Sequence, residues 1–377
     1  VRIFFEHNLI GSPANFVWDD GNIAINDAAP CDWRFESTGK RKGSIRAAAE
    51  AAGCNLLLDP NVPQTQFWKR HIQHPAWSSV LSRAQFSTHL RMQVENVLNF
   101  ITDPVNTYFL THFQIQQSLI DSLQPGRVRD NSMLDHGFLP DDHGFVTVPG
   151  YDNAHSATGR MSIVSGPKIL TLPKEQRQHL ASRWDDGALI EVDFNALEAR
   201  VINWIAKNDT IGTDMYTWIG EKVGTGTVER SVIKEATLAA IYGMSRRNFA
   251  LRYQDMPDAI EVYEAVRKLL KVQELDLHLR NMSPLTNVFG RKLPETTAKI
   301  SYHVQSSAVD IACHGFWWLV SQIEKESAVP VYIIHDALVL DVRKCYVERL
   351  TEICKAGLYI DIMNCNLPIK LRSFNHE

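Results

Sequence analysis

The sequence predicts an α+β fold, with antiparallel strands in one layer and helices making up most of the rest. Three observations predict it. Leu189-Ile190-Glu191-Val192-Asp193-Phe194 is a short apolar run rich in β-branched residues, which reads as a strand. Val329 to Val342 reads as a β-hairpin, two apolar runs flanking a tight His335-Asp336 turn. Before and between these runs, long stretches carry apolar residues at helical spacing.

The chain has 377 residues, more than one ordinary core and enough for two or three packed subdomains. Hydrophobic residues make up 45% and charged residues 22%, a globular composition. No apolar run approaches the roughly 18 residues of a membrane span. The opening Val1-Arg2-Ile3-Phe4-Phe5 turns polar at Glu6, unlike a signal peptide, and lacks an initiator methionine. That suggests processing, or a piece of a longer polypeptide. The six cysteines (Cys31, Cys54, Cys313, Cys345, Cys354 and Cys365) are widely spread and form no CxxC pair. Such spacing argues against a zinc site and suits a reducing, intracellular compartment. A net charge of −4 gives no global sign of nucleic-acid binding, so any such binding must rest on local basic patches.

Residues 1 to 150 are the least informative. Gly39-Lys40-Arg41-Lys42 with Arg46 is a basic cluster ahead of a helical stretch, Ala47 to Ala52. It suits either a solvated surface or a phosphate backbone. Residues 84 to 123 read as mostly helical, with Val94, Val97, Leu98 and Ile101 in phase; Pro104 interrupts them and Pro125-Gly126 ends them. The Gly, Pro, Asp and His content of 141 to 150 suggests a subdomain boundary. Thr158-Gly159-Arg160 follows, where a glycine lets the backbone turn and aim a guanidinium. In a minor groove that arginine would meet acceptors common to all base pairs.

Asp193 stands where the strand gives way to good helix formers, Ala196 to Arg200. It reads either as a helix cap or as a buried carboxylate that needs a cation. Helix continues over Val201 to Ala206, a turn follows at Asp209 to Thr213, and a new helix starts at Asp214. From Glu229 to Tyr242, Arg230, Lys234, Leu238 and Tyr242 recur at four-residue steps on one broad face, and Gly243 ends the helix. Most other positions there are apolar, so the two cations point at something specific. Arg and Lys one turn apart suit a triphosphate.

Residues 246 to 282 read as charged helix, and Asn287 to Lys292 as a turn carrying two cations, Arg291 and Lys292. A second long helix covers 299 to 323, with Gln305 in an apolar setting and Phe316-Trp317-Trp318 as core. After the hairpin come a helix, Val347 to Leu358, and a strand, Pro368 to Leu371. Two aspartates on neighbouring strands and an Arg/Lys helix suit phosphoryl transfer, which needs positioned metal ions and cations at the developing charge.

Taken together and in order, these motifs resemble the polymerase region of the family A DNA polymerases, the group of bacterial DNA polymerase I and phage T7 polymerase. Asp193 to Val201 is similar to motif A, Arg230/Lys234/Tyr242-Gly243 to motif B, and His335-Asp336 to motif C. Thr158-Gly159-Arg160 and the helix bearing Gln305, Ala308 and Asp310 also match. The resemblance runs from about residue 150 onward and implies a right-hand fold with an antiparallel-sheet palm and largely helical fingers and thumb. The implied limits are 1–150 thumb and N-terminal approach, 151–205 palm, 206–289 fingers and 290–377 palm.

By the same resemblance, Asp193 and Asp336 hold two Mg²⁺ ions, with Mn²⁺ as a substitute, helped by the Phe194 carbonyl. Arg230, Lys234, Leu238, Tyr242, Glu198 and Tyr216 bind the nucleotide. Thr158, Arg160, Gln305 and His335 contact DNA. Glu198 fills the space that a 2′-hydroxyl needs, selecting deoxyribonucleotides by penalising the wrong substrate. The implied partners are primer-template DNA and dNTPs, no membrane, and a separate exonuclease or processivity subunit, since no upstream region houses proofreading. The alternatives are a single-subunit RNA polymerase, against which Glu198 argues, and an inactive or partner-dependent DNA-binding subunit. Departures are visible: Leu238 replaces Phe or Tyr, Ala337 replaces the carboxylate after Asp336, and Thr297 falls where an arginine is expected. The asparagine- and glutamine-bearing stretch of the family is reduced to Ile169-Leu170-Thr171-Leu172-Pro173. These changes suggest a divergent, viral member, in the host cytoplasm if viral and otherwise in cytoplasm or nucleoid.

Overall fold

A computed structural model gives the arrangement of the chain. It describes five short strands before residue 40, namely Phe4–Phe5, Asn8–Leu9, Phe16–Asp19, Asn22–Ile25 and Glu36–Ser37. From residue 104 it describes all but 154–155, 210–213, 225–227, 255–257, 295–298 and 376–377. The basic cluster at 39–46, the helices expected over 47–52 and 84–103, Cys31, Cys54 and Thr297 lie outside the described residues. The chain divides into two compact units, Val1–Thr107 and Tyr108–Glu377.

In the first unit, Phe4–Phe5, Asn8–Leu9 and Glu36–Ser37 form a three-stranded antiparallel sheet, and Phe16–Asp19 pairs with Asn22–Ile25.

The second unit is α+β, as the pattern predicts. Helix α1 (Pro104–Ser122) opens on its proline, where the sequence places a break in the helical pattern. Proline has no N–H to give and fits the first helical turn. Strand β1 (Gly187–Phe194) leads into α2 (Leu197–Ile205). Helices α3 (Met215–Val223), α4 (Arg230–Ile241), α5 (Arg246–Arg252), α6 (Ala259–Leu269) and α7 (Val272–Asn281) follow. The long α8 (Lys299–Gln322) precedes the hairpin β2 (Ala328–Ile334) and β3 (Ala337–Arg343). Helix α9 (Val347–Cys354) and strand β4 (Ile369–Ser373) complete it.

Two boundaries differ from expectation. Helix α9 stops at Cys354 because Gly357 takes a left-handed conformation (φ +84°), and Leu358–Ile360 then pairs as a strand with Cys365–Leu367. The closing strand starts after Pro368, which cannot donate to a ladder.

The four labelled strands form one antiparallel sheet in the order β2-β3-β1-β4. Register runs from Gly187 opposite Arg343 to Asp193 opposite Ala337, and from Ile190 opposite Ser373 to Phe194 opposite Ile369. Strands β2 and β3 are buried along nearly their whole length, which explains their continuous apolar runs. Helix α8 packs close to β1: the Phe194 and Phe316 rings lie 5.2 Å apart. Gly315 permits this approach, since a methyl there would stand 2.7 Å from the Phe194 ring. Buried Asp341 accepts bonds from Ser182 Oγ (2.5 Å) and the Arg183 N–H (2.8 Å), tying the preceding loop to β3.

Where α1 meets α8, His112 Nδ1 and His314 Nε2 lie 3.0 Å apart, and His314 stacks on Phe289 at 4.7 Å. Burial, and then the charge of His112, pulls His314 down to about 4; burial also lowers His112. Asp310 and Asp361 oppose these shifts without overcoming them. A histidine whose folded value is depressed adds stability that is complete above its unfolded value, near 6.5, and is lost as pH falls toward 4. Urea unfolding should therefore weaken by about 3 kcal/mol from the His314 shift alone between pH 7 and pH 4. The His314→Leu variant should give a flatter profile; equal slopes would reject the assignment.

Candidate active site

The end of β1 brings the first acid into place. Asp193 sits opposite Ala337, the first residue of β3, so Asp336 in the turn just before it lies near enough for its charge to act on Asp193. Burial first, and the Asp336 charge second, push the Asp193 carboxyl up to about 6. Two acids are therefore held close enough to feel one another, which is costly unless a cation joins them. Asp193 does not cap α2: the cap position is Ala196, left-handed at φ +54°, with no side-chain bond. Arg200, buried, donates from Nε to the Asn195 carbonyl at 2.8 Å and fixes that turn. His335 is also left-handed (φ +53°), which makes the tight turn that projects Asp336.

Among the described residues, no group of three or more His, Cys, Asp or Glu could hold a metal ion. The donor set is the acid pair, with the Phe194 carbonyl at the same strand end. Hard carboxylate oxygens left partly uncompensated are what Mg²⁺ accepts, provided other oxygens complete its shell. The residues present fit the ion on that condition.

A second cluster gathers residues from four segments. Glu198, 18% exposed, accepts from the Tyr242 hydroxyl at 2.7 and 2.9 Å and pairs with Arg160 at 3.3 Å. With its side-chain amide oriented so that both ends find complementary partners, Gln305 donates to Thr158 Oγ1 at 3.1 Å and its carbonyl accepts from Arg160 at 3.0 and 3.2 Å. Thr158, Arg160, Glu198, Tyr242 and Gln305 thus form one connected network. Burial, and then the bond to Glu198, raise the Tyr242 pKa, so its hydroxyl stays a donor.

Helix α4 carries the cations. Arg230 pairs with Asp214 at 2.6 Å and lies over the Tyr216 ring at 5.1 Å. The bond from Arg230 holds Asp214 well below the usual carboxylate range. Lys234 is exposed and Leu238 partly covered on the same helix. Tyr216 is only 6% exposed, and burial pushes its pKa up to about 12. Its ring supports Arg230 and leaves little surface for direct phosphate contact.

Arg291, in the turn expected to carry two cations, is 8% exposed and forks onto Asp310, with Nε at 3.1 Å and a terminal nitrogen at 2.9 Å. Asn287 donates to Asp310 at 2.6 Å, and Gln116 donates to it as well. Asn153 bonds Gln116 at 2.9 Å, and Arg291 reaches Gln116 at 3.0 Å. Gly159, at φ +75°, lies directly against this guanidinium: a methyl there would stand 2.6 Å from its central carbon. The network therefore backs the Thr158-Gly159-Arg160 turn. Sequence reasoning missed it because its members lie far apart in the chain. It also missed Arg372 of β4, whose guanidinium is 3.5 Å from Asp193 Oδ2.

No family model matches the chain, and no curated protein matches it. Among the solved structures that match the chain is the POL domain of Pol1 from M. smegmatis, in complex with a DNA primer-template and dNTP, at 16% identity and a TM-score of 0.48. The similarity covers 88% of this chain and 64% of that one, so this chain spans less than two thirds of its length. No described helix is long and apolar enough to cross a membrane.

Proposed function

We propose that the chain is a template-directed DNA polymerase that extends a primer 3′ end with deoxyribonucleotides by metal-assisted phosphoryl transfer. The observation that carries this reading is the meeting of Asp193 and Asp336 at one end of the sheet, beside the Glu198 network in which the Arg/Lys helix ends. In this reading the sheet is the palm, within 151–205 and 290–377. Residues 206–289 are the fingers, and 1–150 are the thumb and its approach. Four free cysteines among the described residues suit the intracellular setting expected for it.

Asp193, Asp336 and the Phe194 carbonyl would hold Mg²⁺, which would activate the attacking oxygen and stabilise the leaving one. Lys234 and Arg230 would bind the incoming phosphates, Arg230 after exchanging Asp214 for phosphate oxygens. Tyr242 would lie against the nascent pair. Arg160 and Gln305, already joined, would probe the minor groove beside Thr158, and His335 would support the primer terminus.

Primer extension in Mg²⁺ on a defined template, with dNTPs and NTPs supplied separately, tests the whole reading. Extension with dNTPs is expected, and its absence would reject the reading. Preference for NTPs would favour an RNA polymerase.

Glu198 gives a sharper expectation. Its carboxylate is held by Tyr242 and Arg160, which favours the position that would meet a 2′-hydroxyl. Glu198→Ala should lower discrimination against ribonucleotides by about 100-fold, the scale of a lost steric and polar penalty. Single-turnover incorporation of matched dNTP and NTP measures the ratio, and an unchanged ratio would remove the assignment.

A further inference from the structure

Strand β4 alters the surroundings of the acid pair. Lys370 lies opposite Asp193, and Arg372 lies opposite Glu191. Paired positions in a sheet share a face, and alternate residues return to it. Both cations therefore stand on the face that carries Asp193. Arg372 reaches diagonally to within 3.5 Å of Asp193 Oδ2. On the other flank, the residue opposite Asp193 is Ala337, which adds no charge. Glu191, next along the face, is already paired with Arg177 at 3.5 Å. The immediate balance is two carboxylates against two cations.

We propose that Arg372, backed by Lys370, is a positioning residue that keeps the nucleotide-free protein's affinity for divalent cations low by occupying Asp193. The inference rests on the polymerase reading above. A metal ion seeking Asp193 must displace the guanidinium and sit close to two positive charges. A nucleoside triphosphate changes that balance, because its phosphate oxygens supply the missing negative charge and ligands. Arg372 is 54% exposed, so its guanidinium has room to turn from Asp193 to the phosphates that arrive, which its planar fork suits. Metal and nucleotide then bind with positive coupling, each raising the other's affinity by the same factor.

The test is Mn²⁺ binding, read from the electron paramagnetic resonance of free Mn²⁺, on the full chain without DNA. It is run with and without a non-hydrolysable dNTP. Wild type should bind Mn²⁺ weakly alone and more tightly with nucleotide. Arg372→Gln should tighten binding to the protein alone by roughly tenfold, the effect of removing one nearby charge from a divalent site in a screened setting. Lys370→Gln added to it should tighten binding further and shrink the nucleotide effect. Arg372→Lys keeps the charge and should stay near wild type, whereas Asp193→Asn should lose the site. Unchanged or weaker Mn²⁺ binding by Arg372→Gln would overturn the proposal. If wild type extends primers while Arg372→Gln binds Mn²⁺ like wild type, only this inference fails. If wild type extends nothing, the polymerase reading fails first.

Discussion

Asp193→Asn should lower primer extension by about a thousandfold or more while leaving duplex affinity within about twofold, the scale of losing a group that stabilises developing charge. The substitution keeps the shape of the side chain and removes one charge. Mg²⁺ needs hard anionic oxygens, and an amide is a poor replacement. The variant should fold well, because the acid it replaces is already pushed up to about 6 by burial and by Asp336. Taking away that charge relieves repulsion in the folded state. Asp336→Asn should behave alike. Single-turnover extension and fluorescence anisotropy on the same duplex separate chemistry from binding. Near-normal extension by either variant would end the metal-ligand assignment.

Arg291→Ala should destabilise the second unit by about 3–5 kcal/mol, the penalty for stranding a buried carboxylate. At that size the melting temperature should fall on the order of 10 °C. Asp310 would keep Asn287 and Gln116 but lose its only ion-pair partner among the described residues. The same change opens space beneath Gly159, so the Arg160 side chain should lose its fixed approach to Glu198 and Gln305. Calorimetry on the wild type and variant gives the first effect. A loss under about 1 kcal/mol would mean the network is solvated and holds nothing.

Much of the sheet was legible because its signals are local. The β-branched run of β1 and the polar pair between two apolar runs set strand, turn and acid without reference to distant residues. The α4 cations were legible for the same reason, since a four-residue step defines a face. The Arg291 network was not: Gln116, Asn153, Asn287 and Asp310 look like ordinary polar residues until tertiary packing buries them together. Arg372 was hidden differently. The alternation in Ile369 to Ser373 marks a strand, but nothing there names β1 as its neighbour, and only register puts a cation beside Asp193. Tyr216 was placed by its position in a motif, and its burial beneath Arg230 was beyond any local pattern.

The central position of β1 in the order β2-β3-β1-β4 also governs how the molecule assembles. Both neighbours of β1 are synthesised long after it, one beginning at residue 337 and the other at 369. Pairings of such large sequence separation must close long loops before they gain anything, which makes them slow. On the ribosome, the stretch from 187 to 194 waits with both ladder edges bare while the helical segment emerges. A nascent chain halted before residue 369 would carry every motif of the site and still leave Asp193 on an open edge, ready to pair with the wrong strand.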